Sequence, residues 1–384
     1  MNNFEYYCPT RIVFGKGTIA KLSELLDKNK KILILSGGGT IKQNGVYDQV
    51  MTALKGYNIF EFSGIEPNPT YETCMKATGL AREKNVDFLL AVGGGSVLDG
   101  TKFIAVAAKY EGPEPYDIVA KGLPVKYALP LGDVITLPAT GSEMNANSVI
   151  SRLSTNEKLP FSSEKVYPQF SIIDPQVTFS LPLQQTINGI VDTFVHVMEL
   201  YATYDVNTPL QDNWATGLIR VLIQEAPKVM QDPNNYDARA NLFWCATCGL
   251  NYWLSLGAVQ DWSTHMIGHE LTALYGIDHA QSLAIIIPRL WANQQKNKKG
   301  KLAKLSREVF GVSGIDDESA SIIAITKTED FFHSIGMKTR LADYNINAKD
   351  AAERIRERFS ARGVKFGETG SISPDVAYEI VLNS

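Results

Sequence analysis

The pattern that most limits what this chain can fold into is an alternation confined to its first half. Short apolar runs, "KILILS" at 31–36, "FLLAVGGG" at 88–95, "VITLPAT" at 134–140 and "FSIIDP" at 170–175, are interleaved with "YDQVMTALKG", "YETCMKATGLAREKN" and "SVLDGTKFIAVAAKY". In the longer segments the apolar residues recur every three to four positions, the helical period. A short unbroken apolar run is what a strand buried on both faces looks like, and the helices between are the crossovers that parallel strands require. The expectation is therefore a Rossmann-like α/β domain built of βαβ units around a parallel sheet.

From about residue 182 the strand signal stops. "LQQTINGIVDTFVHVMELYATY", "QDNWATGLIRVLIQEAPKVMQD" and "YDARANLFWCATCGLNYWLSLGA" all read as helices. A chain of 384 residues is too long for one ordinary core. The division expected is an α/β nucleotide-binding domain over 1–180 and an all-α domain over 181–384, joined at "DPQVTFSLP". The two domains are expected to pack closely around a cleft, a common place for ligands, as are the carboxyl ends of parallel strands.

Charge excludes some classes of partner. The formal net charge is −4 and no basic block stands out, so neither nucleic acid nor an anionic membrane surface is an expected partner. "MNNFEYYCPTRIVFG" lacks a basic, apolar leader, and no run approaches the ~20 apolar residues that span a bilayer. The expected location is the cytoplasm. Cys245 and Cys248 form a CxxC inside an apolar helical run, with no second pair and no strand ahead of it. They read as small core side chains.

"LLAVGGGSVLDGTK" places Gly93, Gly94, Gly95 and Ser96 between a strand and a helix. Glycines there let backbone approach a phosphate, and the helix start offers free N–H groups and the positive end of its dipole. The plainer reading is a tight turn needing positive φ. A second loop, Gly37, Gly38, Gly39 and Thr40, follows the first strand of the series. Neither loop is the G-x-G-x-x-G fingerprint. No acidic residue follows that strand to engage a ribose 2′-OH and repel a 2′-phosphate. Thr40 and Lys42 stand there instead, so a preference for NADP(H) is expected. "TLPATGSEMNANSV" adds Thr136, Thr140 and Ser142 at a third polar strand end.

The chain has five histidines, and four fall into two groups. Asp192 and His196 are spaced i, i+4 and share a helical face, as do His265 and His269. His279 lies 14 residues after His265, ~21 Å away on an unbroken helix. "LYGIDHAQ" supplies a break: Gly276 suits a C-terminal cap and Asp278 the N-cap of a new helix. That turn can bring one carboxylate and up to four imidazoles together. The set suits a divalent first-row ion such as Zn²⁺ or Fe²⁺ and suits Mg²⁺ or Ca²⁺ poorly. "HELTALYGIDH" lacks the H-E-x-x-H spacing of zinc proteases. His333 stands alone and reads as structural. Trp262, in "VQDWSTH", and the apolar "SLAIIIPRLW" favour a short- to medium-chain aliphatic ligand.

With these segments together the sequence resembles the iron-containing (group III) alcohol dehydrogenases, in their NADP-dependent aldehyde reductase and butanol dehydrogenase branch. "PTRIVFGKG", "GIEPNP", "AVGGGSVLDGTK", "TLPATGSE", "GIVDTFVHVME" and "QDWSTHMIGHELTALYGIDHAQ" carry the likeness. The resemblance implies a dehydroquinate synthase-like architecture holding NADP(H) and one divalent metal, Zn or Fe. It implies Asp192, His196, His265 and His279 as metal ligands and His269 beside the nicotinamide. Gly93 to Ser96 and Asp99 would face the pyrophosphate. Asn68, Thr136, Thr140, Ser142 and Lys158 would line the cofactor groove along with the first glycine loop. Asn147 and Trp262 would lie near an alcohol or aldehyde substrate, and a homodimer is implied. The alternatives are a glycerol-dehydrogenase-like polyol oxidoreductase, a dehydroquinate-synthase-like lyase, or a non-catalytic binding protein. The absence of a basic cluster beside the ligands argues against the lyase.

Overall fold

The computed structural model describes residues 1–384. Tyr7–Pro182 with Asn234–Thr247 form one compact unit, and Met1–Tyr6, Leu183–Pro233 and Cys248–Ser384 form another.

The first unit is built on a parallel sheet. Its strands are β1 (Arg11–Phe14), β2 (Lys31–Ser36), β3 (Asn58–Ser63), β4 (Phe88–Gly93), β5 (Leu131–Ile135) and β8 (Phe170–Ile173), in the order β1-β8-β5-β4-β2-β3. Every pairing among them is parallel. β6 (Asn147–Arg152) and β7 (Glu157–Ser162) form a separate antiparallel pair. Helices of two turns or more are numbered α1 (Val46–Ala53), α2 (Tyr71–Glu83) and α3 (Gly95–Lys109) in this unit.

The unbroken apolar runs have a direct cause. Leu33, Leu35, Leu89, Ala91 and Leu131 belong to the core on one face, with Cys74 and Ala77 of α2 and Phe103 and Ile104 of α3. Ile32, Ile34, Leu90, Val92 and Val134 belong to the core on the other face, with Val46 and Val50 of α1. In β2 alone Ile32, Leu33, Ile34 and Leu35 are each at most 2% exposed. Burial stabilises each such side chain by about 1.5–3 kcal/mol, which outweighs any local preference and fixes the strand.

The sheet order also locates a ligand-binding end. β2 has β3 on one side and β4 on the other, so the chain reverses its direction of travel across the sheet between β2 and β4. Their register, Leu33↔Leu89 through Ser36↔Val92, brings the carboxyl ends of both strands level. Open α/β sheets bind ligands at such a switch point. Both glycine loops leave the sheet there.

Four strands escaped the sequence reading: β1, β3 and the β6–β7 pair. β1 and β3 are the two edges of the sheet, and neither contains a fully buried residue. They lack the apolar run that marks the central strands. β5 starts at Leu131 and ends at Ile135, so Thr136 onward is loop.

In the second unit the helices are α4 (Leu183–Tyr201), α5 (Pro209–Gln231), α7 (Ser263–Tyr275), α8 (His279–Asn293), α9 (Gln295–Phe310), α10 (Asp317–Ser334), α11 (Ala348–Arg362) and α12 (Pro374–Leu382); α6 (Tyr236–Gly249) lies almost wholly in the first unit. No named strand follows Ile173. Ile267 and Leu271 of α7, Ile285 and Ile286 of α8, and Ile355 and Phe359 of α11 share one core. Cys245 and Cys248 are buried thiols on α6, in agreement with the packing reading.

Candidate active site

The histidine group is assembled by three helices of the second unit. α4 is buried along nearly its whole length and carries Asp192 and His196. α7 carries His265 and His269 and ends at Gly276, whose φ of 69° is the left-handed conformation glycine tolerates. Asp278 then caps α8, its carboxylate and the Gln281 side chain each satisfying the other's backbone N–H. Asn188, one turn before Asp192, donates to Asp278 Oδ2 at 2.9 Å. The helix break read from "LYGIDHAQ" is therefore present, tied to α4, and it returns His279 to His265.

Asp192 Oδ1 lies 3.6 Å from His196 Nδ1, 3.9 Å from His265 Nε2 and 3.7 Å from His279 Nε2. Ligand atoms of Asp192, His265 and His279 all fall within 4.8 Å of one another. Bonds of about 2.1 Å to a common ion separate its ligands by about 3.4 Å at tetrahedral angles and by no more than about 4.2 Å. The spacing of the carboxylate to each imidazole fits that range, and carboxylate with imidazole suits Zn²⁺ or Fe²⁺. His196 stands outside the tightest group of three, its ring stacked on His265 with centroids 4.7 Å apart.

Asp192, His196, His265 and His269 are all below a tenth exposed, whereas the His279 side chain is 24% exposed. The group is thus open on the His279 side. Trp262 packs edge-on to His265 at 5.3 Å between centroids and forms an apolar wall. His269 lies one turn on, 5.2 Å from the His279 ring and 6.0 Å from the His265 ring, outside the group of three. His333 is exposed and pairs with Thr339 at 2.9 Å.

Two functional candidates escaped the sequence reading. Glu199, 3% exposed, accepts the Thr264 N–H at 2.6 Å and pairs with His265 Nδ1. Burial depresses the His265 imidazolium, but the Glu199 and Asp192 carboxylates outweigh it and raise its pKa to about 9. Asn188, Asp192, His196 and Glu199 form a polar stripe along apolar α4 at helical spacing, and that stripe was the available signal.

The second candidate is Lys102 on α3, which is fully buried. Its ammonium donates to the Ser142 carbonyl and hydroxyl at 2.7 Å and to the Asn147 carbonyl at 2.8 Å. The Ser142 hydroxyl in turn donates to Asp99 at 2.7 Å. Burial lowers the Lys102 pKa to about 8, with Asp99 opposing. The buried ammonium organises the 142–147 loop that leads into β6.

Of the remaining predicted residues of the α/β unit, those of the two glycine loops lie at the carboxyl ends of β2 and β4. Gly94 caps α3, and Gly95 and Ser96 open it. A Cβ on Gly93 would meet Val97 at 2.6 Å, and one on Gly95 would meet Thr140 at 2.5 Å. These glycines are required by close packing, not by positive φ. Gly38 and Gly39 face open space, and Gly39 has φ +108° ahead of the short helix Thr40–Gln43. The Ser96 hydroxyl accepts the Asn68 N–H at 3.3 Å. The Thr136 N–H bonds the Gly93 carbonyl at 2.9 Å, tying the third strand end to the second loop. Asp99 also accepts the Val149 N–H at 3.0 Å, so both its oxygens are engaged within the fold. Lys158 lies on β7, and Asn147 begins β6.

Comparison with known proteins gives a consistent family. The model described as "Iron-containing alcohol dehydrogenase" matches residues 9–175, and "Fe-containing alcohol dehydrogenase family, C-terminal" matches 186–365. The chain is 47% identical over 382 residues to "NADPH-dependent aldehyde reductase YqhD" of Escherichia coli K12, covering 99% of each. The crystal structure of E. coli YqhD superposes with a TM-score of 0.97, covering 99% of this chain and 98% of that one. That of "NADH-dependent butanol dehydrogenase A" from Thermotoga maritima does so with a TM-score of 0.94 at 36% identity, with 99% and 98% covered.

Proposed function

The chain belongs to the iron-containing alcohol dehydrogenase family, and on that premise we propose that it is a metal-dependent aldehyde reductase interconverting alcohols and short- to medium-chain aldehydes with NADP(H). The observation that carries this reading is the buried Asp192 carboxylate facing three imidazoles at 3.6–3.9 Å, in a chain that also presents two glycine loops at a sheet switch point. The relatives compared above are named as oxidoreductases of alcohols and aldehydes, which favours this reading over a lyase.

Asp192, His196, His265 and His279 would hold the metal. When bound, the ion supplies a Lewis acid for the substrate oxygen and NADPH supplies the hydride. The protein's part is position and electrostatics. The N–H groups opening α3 would receive the pyrophosphate. The first glycine loop, with Thr40 and without an acidic residue, would admit the 2′-phosphate. Trp262 would exclude water beside the ligands and favour an aliphatic chain. His269, beside His279, would pass the proton that reduction of a carbonyl to an alcohol consumes. The reading includes a homodimer in the cytoplasm; no helix is long and apolar enough to cross a membrane.

The test is spectrophotometric NADPH oxidation with butanal, with NADH at matched concentration as the comparison. Turnover with NADPH well above NADH is expected. Equal turnover would remove the assigned cofactor preference, and none with either nucleotide would remove the reading.

A further inference from the structure

Helix α7 begins without help from its own N-cap residue, since the Trp262 side chain makes no capping bond. The first N–H, of Ser263, goes to Asp261 Oδ1 at 2.9 Å. The next two, of Thr264 and His265, go to Glu199 Oε1 at 2.6 and 3.3 Å. Glu199 belongs to α4, so a carboxylate from one helix caps the start of another. A negative charge at a helix N-terminus is favourable, and this one is 3% exposed. Its other oxygen, Oε2, pairs with His265 Nδ1.

The second contact has a chemical consequence. A carboxylate oxygen only accepts, so Nδ1 must carry a proton, which leaves Nε2 as the one ring nitrogen whose lone pair can meet an ion. Nε2 is buried and lies 3.9 Å from Asp192 Oδ1, beyond hydrogen-bonding reach, on the side where the ligand atoms converge. Carboxylates placed behind metal-binding imidazoles fix tautomer and ring orientation and raise basicity. Glu199 lies two turns along the same helix from Asp192, so α4 sets both the carboxylate facing the group and the carboxylate behind it.

We propose that Glu199 is the positioning residue of this centre: it holds His265 as the Nδ1–H tautomer with Nε2 aimed at the ion, and it locks the start of α7 in register with α4. The proposal rests on the metal reading above. Glu199→Gln separates its two roles. An amide has one accepting oxygen, so it can serve the Thr264 and His265 N–H groups or the Nδ1–H, not both. Capping by the amide oxygen turns an N–H donor toward Nδ1, which forces the proton onto Nε2.

The experiment measures the Zn²⁺ dissociation constant of the full-length metal-free protein by chelator competition, for wild type, Glu199→Gln and Asp192→Ala, with the Tm of each metal-free sample. The expected result is a Kd raised roughly 10–100-fold in Glu199→Gln, with a metal-free Tm close to wild type. A wild-type Kd in Glu199→Gln, even with a lowered Tm, would make Glu199 a helix cap only and overturn the proposal. Wild type that takes up no Zn²⁺ would overturn the metal reading and this proposal together. Should the glutamine variant not fold, ¹⁵N-histidine NMR of Zn²⁺-loaded wild type decides. A protected Nδ1–H on His265 is expected, and an unprotonated Nδ1 overturns the assignment.

Discussion

His265 and His269 are one turn apart on one helix face, yet their surroundings assign them different work. His265 is held between Glu199 and Asp192, whereas His269 is outside the group of ligand atoms. Substituting Asp192 or His265 by alanine should abolish metal binding while leaving the helical content intact, as read by elemental analysis and circular dichroism. His269→Ala should keep the metal and lower kcat by about 10² to 10⁴-fold, the usual range for a lost general acid or base. An unchanged kcat would remove the proton-relay role. The gathering of Asp192 and the histidines was legible because i, i+4 spacing and the Gly276 break are local features. Glu199 was not, because a glutamate on a helix is commonplace and its partner His265 is 66 residues away in the chain.

At the scale of the element, the turn between α7 and α8 is the part that builds the site. Gly276 has φ 69° with open space around its Cβ position, so Gly276→Ala meets no clash and is opposed only by backbone strain, about 1–2 kcal/mol. Asp278→Ala removes the capping box, costing about 0.5–2 kcal/mol. It also cuts the Asn188 link that ties His279 to the helix bearing Asp192. The two variants should both lower Tm by a few degrees, but Asp278→Ala should weaken Zn²⁺ binding more. Equal metal affinities would show that the Asn188–Asp278 link does not position His279. The same scale explains what sequence could reveal of the fold. Central strands buried on both faces are continuous apolar runs, while the edge strands β1 and β3 are partly exposed and lack that signature. Lys102 was hidden for a related reason, since a lysine is normally solvated and only the folded 142–147 loop supplies its acceptors.

For the whole molecule, pattern alone conveyed the succession of a parallel α/β part and a helical part, because periodicity changes along the chain. It could not convey that α6 joins the first unit, where Phe243 enters the sheet's core. A helix's period identifies its apolar face but not the surface that face will meet. A bound metal should also stabilise the whole fold. A ligand at a hundred times its Kd adds about 2.7 kcal/mol, so stripping the ion should lower Tm and re-addition should restore it. The central claim is that Asp192 and its imidazoles hold an ion required for NADPH-dependent aldehyde reduction. Its most direct test is butanal-dependent NADPH oxidation by one preparation, assayed as purified, after exhaustive chelation, and after Zn²⁺ or Fe²⁺ is returned. The account predicts loss of turnover on chelation and recovery with at least one of the ions. Full turnover in a preparation shown to be free of metal would contradict it.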